Sequence, residues 1–266
     1  MIICYSKFDQ FSRVFMTEYT GIICRDVIKT KEFFMKKIGL VGGTGPESTL
    51  MYYKELNKRI DELTHGEQMP DIAIESVDFR KAWQYVTSER YDLLEDYLAE
   101  KIECLKKSGA EVISLTAATM HIVFDELLEK TKVRLVSIPQ AVCKEAVSKG
   151  YKTVGLLGTI FTMEQDYMKT DLRKVGIEVV VPEKADRELI AKRILEELEL
   201  GIVKESTLSE FQQIITKMKY NDGIEAVVLG CTELPLLLNA DNCPVPCLDS
   251  VDIHIKELID QAVSDK

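Results

Sequence analysis

From residue 38 onward, short apolar runs alternate with segments of helical period, and several of the runs end in glycine or threonine. Runs of this length read as strands buried on both faces. Strands alternating with helices make a parallel sheet with right-handed crossovers. The spacing predicts strands at 38–41, 72–77, 111–115, 134–138, 153–157, 178–181 and 226–229. Helices are expected from Pro46 to about 63, then near 93–107, 122–130, 140–149, 164–174, 186–199, 208–220 and 251–263.

The pattern also repeats. Gly39-Leu-Val-Gly-Gly-Thr44 echoes Gly155-Leu-Leu-Gly-Thr159, and Val112-Ile-Ser-Leu-Thr116 echoes Val227-Val-Leu-Gly-Cys231 more loosely. The two pairs are separated by nearly equal lengths of chain. An α/β fold of two similar lobes is expected, each built on a parallel sheet; packed face to face about a pseudo-two-fold axis, they would bring Thr116 and Cys231 to one cleft. The first lobe is expected to comprise 35–133 plus 248–266, and the second 134–247. Residues 1–34 do not share the pattern. They are rich in Phe, Ile and Tyr but broken by charges, too irregular for a signal peptide. Met35 opens a clean strand, so 1–34 reads as an N-terminal extension that is dispensable or lies upstream of the biological start.

The totals narrow the partners. A net charge of −10 with no basic run argues against nucleic acid and anionic membrane. No apolar stretch is long enough to span a bilayer. Seven cysteines at irregular spacing, with no secretory signal, suit reduced thiols in a cytoplasm. Cys243 and Cys247 flank Pro244 and Pro246 without a second ligand pair, so a proline-shaped loop is expected there rather than a zinc site. Cys104 and Cys143 read as core residues, and Trp83 as a packing residue on a surface helix. The glycines at 42–45 match neither a dinucleotide fingerprint nor a P-loop.

Cys231 stands where a buried strand hands over to the next segment, the edge at which open α/β sheets place their ligands. In a pseudo-symmetric pair of lobes, Thr116 is the residue expected to face it. Two groups on opposite sides of one carbon can invert a stereocentre, one removing a proton and the other returning one. A thiol, with an ordinary pKa of about 8.5, can be tuned to that task. His121 and Glu233 lie close enough in sequence to tune Thr116 and Cys231.

These residues lie in motifs that resemble the aspartate/glutamate racemase family of cofactor-independent amino-acid racemases. The similar stretches are Met35 to Thr49, Ser76-Val-Asp-Phe79, Thr119-Met-His121, Gly158-Thr159 with Phe161-Thr-Met163, and Gly230-Cys-Thr-Glu233. The resemblance covers 35–266. It implies an active site in the inter-lobe cleft, an acidic amino-acid substrate, no cofactor or metal, two catalytic thiols (one per lobe), and a homodimer as a common assembly. Cys231 matches the second thiol. Thr116 is read at the position of the first, and Ala118 at that of a following asparagine. Three outcomes are open. The enzyme racemises with Cys231 and Thr116, favouring the L-substrate and using water or His121 as a relay. It catalyses a one-thiol decarboxylation or isomerisation of dicarboxylates. Or it binds an acidic amino acid without turnover. The α-carboxylate is expected on the amides of Ala117, Ala118, Thr119 and Thr232, with Thr44 and Thr159 lining the cleft. Lys169, or else Arg80, is expected to meet the side-chain carboxylate.

Overall fold

The structure, a computed structural model, describes residues 33–265. The expectation for the N-terminal extension falls outside it, except that Phe33 and Phe34 belong to a strand. In chain order, β1 (Phe33–Met35) leads to β2 (Ile38–Gly42), α1 (Pro46–Leu63), β3 (Ile72–Ser76), α2 (Phe79–Thr87), α3 (Tyr91–Lys107) and β4 (Val112–Leu115). A 3-10 turn (Ala118–Val123) then precedes α4 (Phe124–Thr131), β5 (Leu135–Val136) and α5 (Ile138–Ser148). The next elements are β6 (Thr153–Leu157), α6 (Ile160–Glu164), α7 (Thr170–Lys174), β7 (Glu178–Val180) and α8 (Lys184–Glu196). After a 3-10 turn (Leu198–Leu200) come α9 (Glu205–Asp222), β8 (Ala226–Leu229), another 3-10 turn (Leu234–Leu236), β9 (Cys247–Asp249), α10 (Ser250–Ala262) and β10 (Val263–Asp265).

Two parallel four-stranded sheets carry the fold, in the orders β3-β2-β4-β5 and β7-β6-β8-β9. The topologies are equivalent, strand for strand, so the sequence repeat is a repeat of architecture. A small antiparallel ribbon of β1 and β10 closes the described chain.

Each sheet is covered on both faces because its central strands are apolar throughout. All five residues of β2 are buried. In α1 the inward stripe is Ser48, Tyr52, Leu56 and Ile60, one residue per turn. Each buried Leu or Ile of such a stripe contributes about 2 kcal/mol by removal from water. Gly43 opens the turn into α1 with φ 85°, and a Cβ there would lie 2.6 Å from the Val77 carbonyl. Only glycine fits that approach.

The lobe boundaries sit one strand later than expected. β5 pairs with β4 and belongs to the first sheet, while β9 pairs with β8 and belongs to the second. The helices that follow them change sides. α5 packs Ile138, Val142 and Ala146 against Val154, Leu156 and Val228 of the second sheet. α10 packs Val251, Ile255 and Leu258 against Ile38, Leu40 and Val112 of the first. Charge and apolar periodicity cannot reveal this exchange, because both sheets offer the same kind of apolar face. His254 anchors α10 in its place: Nδ1 pairs with the Tyr52 hydroxyl at 2.7 Å, and Nε2 lies 2.9 Å from Ser114 Oγ and 3.2 Å from the Val136 carbonyl.

The expected helix at 164–174 is interrupted. α6 ends at Glu164 and α7 begins at Thr170, and the intervening chain turns Tyr167 and Lys169 inward. α2 is the surface helix expected around Trp83, though the spacing gave no bounds for it. Asp78 caps it by accepting from the amides of Arg80 and Lys81.

Candidate active site

The ladders of the two sheets bring their strand-end turns into correspondence. Val41 pairs with Leu115 in the first sheet, and Leu157 with Leu229 in the second. The next residue continues the ladder in both. Thr116 N donates to the Val41 carbonyl at 3.1 Å, and Gly230 N donates to the Leu157 carbonyl at 2.8 Å. Thr116 is therefore the counterpart of Gly230, and Ala117 is the counterpart of Cys231.

Side-chain directions agree. Thr116 is buried, with Oγ1 3.3 Å from the Val41 carbonyl and 3.4 Å from Thr49 Oγ1. A Cβ built on Gly230 would point the same way, 2.9 Å from the Leu157 carbonyl and 3.0 Å from Thr162 Cγ2. Both directions lead back into the glycine turn of the neighbouring strand. The expectation that Thr116 faces Cys231 is thus displaced by one residue. The hydroxyl is spent inside the first lobe, and the position matching the thiol carries a methyl group. By the same register, Ala118 corresponds to Thr232 and Thr119 to Glu233.

Cys231 is half-buried, and its thiol donates to Glu233 Oε2 at 2.8 Å. Burial pushes the thiol well above its ordinary pKa, and the Glu233 charge, with Glu199 behind it, adds to the shift. Glu199 lies in the 3-10 turn after α8. Its own carboxyl is raised, first by burial and then by Glu233. The raised thiol, in hydrogen-bond contact with the Glu233 carboxyl oxygen, forms a thiol–base pair.

His121 does not tune Thr116. Its Nδ1 lies 3.1 Å from the Ala117 carbonyl and 3.2 Å from that of Ala118, so it carries the proton, and Nε2 accepts from Ile138 N at 3.1 Å. Burial lowers its pKa to about 4. The ring is a neutral bracket tying the 116–119 turn to the start of α5.

Lys169 is buried, and its ammonium is already engaged. It donates to the carbonyls of Met163 and Glu164, each at 3.1 Å, and lies 3.4 Å from Asp166 Oδ1. Those carbonyls are the open C-terminal end of the short helix α6, which a cation satisfies. The expected contact with a substrate carboxylate is replaced by this structural one. Arg80 is exposed on the first turn of α2.

The two glycine-turn threonines differ. Thr159 caps α6, accepting from Thr162 N at 3.2 Å. Thr44 Oγ1 is buried and has no hydrogen-bond partner among the described residues. A buried hydroxyl without a partner is uncommon and costs free energy, so it points to a ligand contact. Thr232 is half-buried in the turn that carries Cys231.

Sequence reasoning missed Tyr167 and the aromatic bridge. Tyr167 Oη lies 2.9 Å from Thr162 Oγ1, near enough to Thr119 of the other lobe and to Cys231 for both to bear on its titration. Burial pushes its pKa up to about 12. Trp83 meets the Phe161 ring edge-on at 6.0 Å, with Phe79 stacked behind it at 6.0 Å and Tyr167 beyond Phe161 at 6.0 Å. Trp83 thus joins α2 of the first lobe to α6 of the second, beyond the packing role expected for it. Its aromatic neighbours in sequence carried no signal of this, since the contact exists only between lobes.

Two equivalent α/β lobes, each on a parallel four-stranded sheet, with a thiol–carboxyl pair at the strand edge of one of them, define the class of fold. The chain belongs to the Asp/Glu/Hydantoin racemase family, whose model matches residues 41–258. It is similar to the crystal structure of a Yersinia pestis protein provisionally described as an Asp/Glu racemase: 35% identity, 86% of this chain and 99% of that one covered, TM-score 0.81. It is also similar to an aspartate racemase homologue from Pyrococcus horikoshii OT3, with 38% identity, the same 86% and 99% coverage, and TM-score 0.78. Among curated sequences, the broad specificity amino-acid racemase RacX of Bacillus subtilis is 22% identical over 229 residues, 80% of this chain and 92% of the relative.

Proposed function

We propose that this protein moves the α-proton of an acidic amino acid from one face, using Cys231 as the proton carrier. The observation that carries the reading is Ala117 at the register position of Cys231. Glu233 takes the thiol proton across the 2.8 Å contact, and the thiolate removes the α-proton. The substrate's ammonium group supplies countercharge to Glu233 and Glu199. The Thr44 hydroxyl takes a substrate oxygen, and exposed Arg80 is the cation left for the side-chain carboxylate.

Inversion needs a second acid on the opposite face, and an alanine methyl neither takes nor returns a proton. Proton return from the Cys231 side restores the starting enantiomer. The expected activity is therefore α-hydrogen exchange with retention, and conversion between enantiomers is much slower than exchange. A Thr116-based racemase is disfavoured because that hydroxyl is buried against Val41 and Thr49.

The test is incubation of both enantiomers of aspartate and glutamate in D2O, following the α-proton by NMR and enantiomer composition by chiral chromatography. Exchange of one enantiomer without build-up of the other supports the reading. Rapid approach to a racemic mixture would show that another group serves the second face. Absence of exchange for all four would leave a binding protein.

A further inference from the structure

Cys243 and Cys247 bracket Pro244-Val245-Pro246 in the loop that delivers β9. Both are half-buried, and the Cys247 thiol donates to the Asn239 carbonyl at 3.9 Å, the same oxygen that takes the Cys243 amide, so the two residues meet at one atom. Each end of the loop is pinned. Cys243 N donates to the Asn239 carbonyl at 3.1 Å, and the Pro246 carbonyl accepts from Val227 N at 2.9 Å. Cys247 stands opposite Val227 in the sheet, and Val245 between them is buried. The two prolines fix their own φ angles. The sulfurs are thus held together by the backbone, and little chain entropy opposes joining them.

On one side the pair packs against the core cluster around Leu234 and Leu237. On the other, both cysteines line a cavity of about 550 Å3 together with Lys149, Tyr151 and Asp249. A small reagent can reach them there. Among the described residues, no third His, Cys, Asp or Glu joins them to make a metal site.

We propose that Cys243 and Cys247 form a redox-active dithiol that closes to an intramolecular disulfide by exchange with a low-molecular-weight disulfide. The inference is independent of the chemistry assigned to Cys231. The neighbouring Cys247 thiol lowers the Cys243 pKa to about 7, so a thiolate is available at neutral pH. That thiolate attacks the small disulfide, forming a mixed disulfide and expelling one thiolate. Cys247 then loses its proton to solvent, its sulfur attacks the Cys243 sulfur, and the second thiolate leaves. The protein gives up two electrons and two protons, and one small disulfide becomes two thiols. Cys143 is a poorer target, because burial raises its thiol, and Cys231 is held protonated beside Glu233.

The experiment equilibrates the full chain with graded ratios of oxidised and reduced glutathione, quenches with acid, alkylates the remaining thiols and maps the cysteines by mass spectrometry. The expected product has two fewer alkylated thiols, with a Cys243–Cys247 link. Cys247→Ser is expected to stop at a glutathione adduct on Cys243, and Cys243→Ser to leave Cys247 unmodified. Full alkylation of both cysteines across the series overturns the proposal. So does a Cys243 adduct in the wild type that Cys247 never displaces. Neither readout uses catalysis, so the outcome is separate from that of the exchange experiment.

Discussion

Ala117 and Cys231 occupy one and the same register position in the two sheets, each one residue past the last ladder hydrogen bond to the neighbouring strand. A methyl group therefore stands where pseudo-symmetry would put a second acid or base. The asymmetry is one of side-chain chemistry at positions that the same ladder bond precedes in both sheets.

Placing a thiol at 117 should restore the missing face. Ala117→Cys is expected to raise enantiomer interconversion at least tenfold over the wild type, read by chiral chromatography. Thr116→Val, in contrast, is expected to leave α-hydrogen exchange intact and cost about 1 kcal/mol in urea unfolding, the worth of a buried neutral hydrogen bond. Loss of exchange in Thr116→Val with normal stability would return the catalytic role to that hydroxyl.

Cys231→Ala is expected to abolish exchange. Glu233→Gln removes the charge that raises the thiol. The pH midpoint for alkylation of Cys231 by iodoacetamide should then move down by about one unit, equivalent to about 1.4 kcal/mol. An unchanged midpoint would mean that burial alone holds the thiol up.

Lys169→Met leaves the Met163 and Glu164 carbonyls without their cationic donor. A loss of about 2–3 kcal/mol in unfolding free energy is expected, in line with hydrogen bonds to a charged group. A variant of wild-type stability with weakened substrate affinity would instead assign Lys169 to the ligand.

Trp83 is the chain's single tryptophan, and its indole meets Phe161 of the other lobe. Its emission is expected to change saturably as an acidic amino acid is titrated in, because any adjustment of the cleft alters that contact. Phe161→Ala should remove the response. A response that persists in this variant would place its origin elsewhere on α2.

His121 and His254 are buried neutral, with pKa values lowered to about 4 and about 3, chiefly by burial. The unfolded chain takes up protons near its ordinary imidazole pKa of about 6.5 and the folded chain does not. Stability is complete above that pH and falls as pH drops below it, by up to about 1.4 kcal/mol per pH unit for each histidine. Urea unfolding across this range should show the slope, and His121→Gln should make it shallower. A flat profile would mean that these imidazoles titrate in the fold as they do in the unfolded chain.

Much of the architecture was legible in the chain. Glycine-punctuated apolar runs such as Ile38–Gly42 and Thr153–Leu157 can be buried only as inner strands. The repeated motifs required two lobes, and Gly230-Cys231-Thr232 marked the end of an inner strand of the second sheet. What failed did so for local reasons. α2 rests on one capping side chain, Asp78, and the break after α6 rests on Lys169 turning inward to hold its last carbonyls.

The sequence by itself determined the alternation of strands and helices, the repeat, and a cysteine at the end of an inner strand, because each is a matter of residue type and period along the chain. Only the tertiary structure decided that Ala117 and not Thr116 matches Cys231. Successive residues of an extended strand point to opposite sides, so a shift of one residue reverses a side chain's direction. The ladder bonds of Thr116 to Val41 and Gly230 to Leu157, formed between strands distant in sequence, set that register.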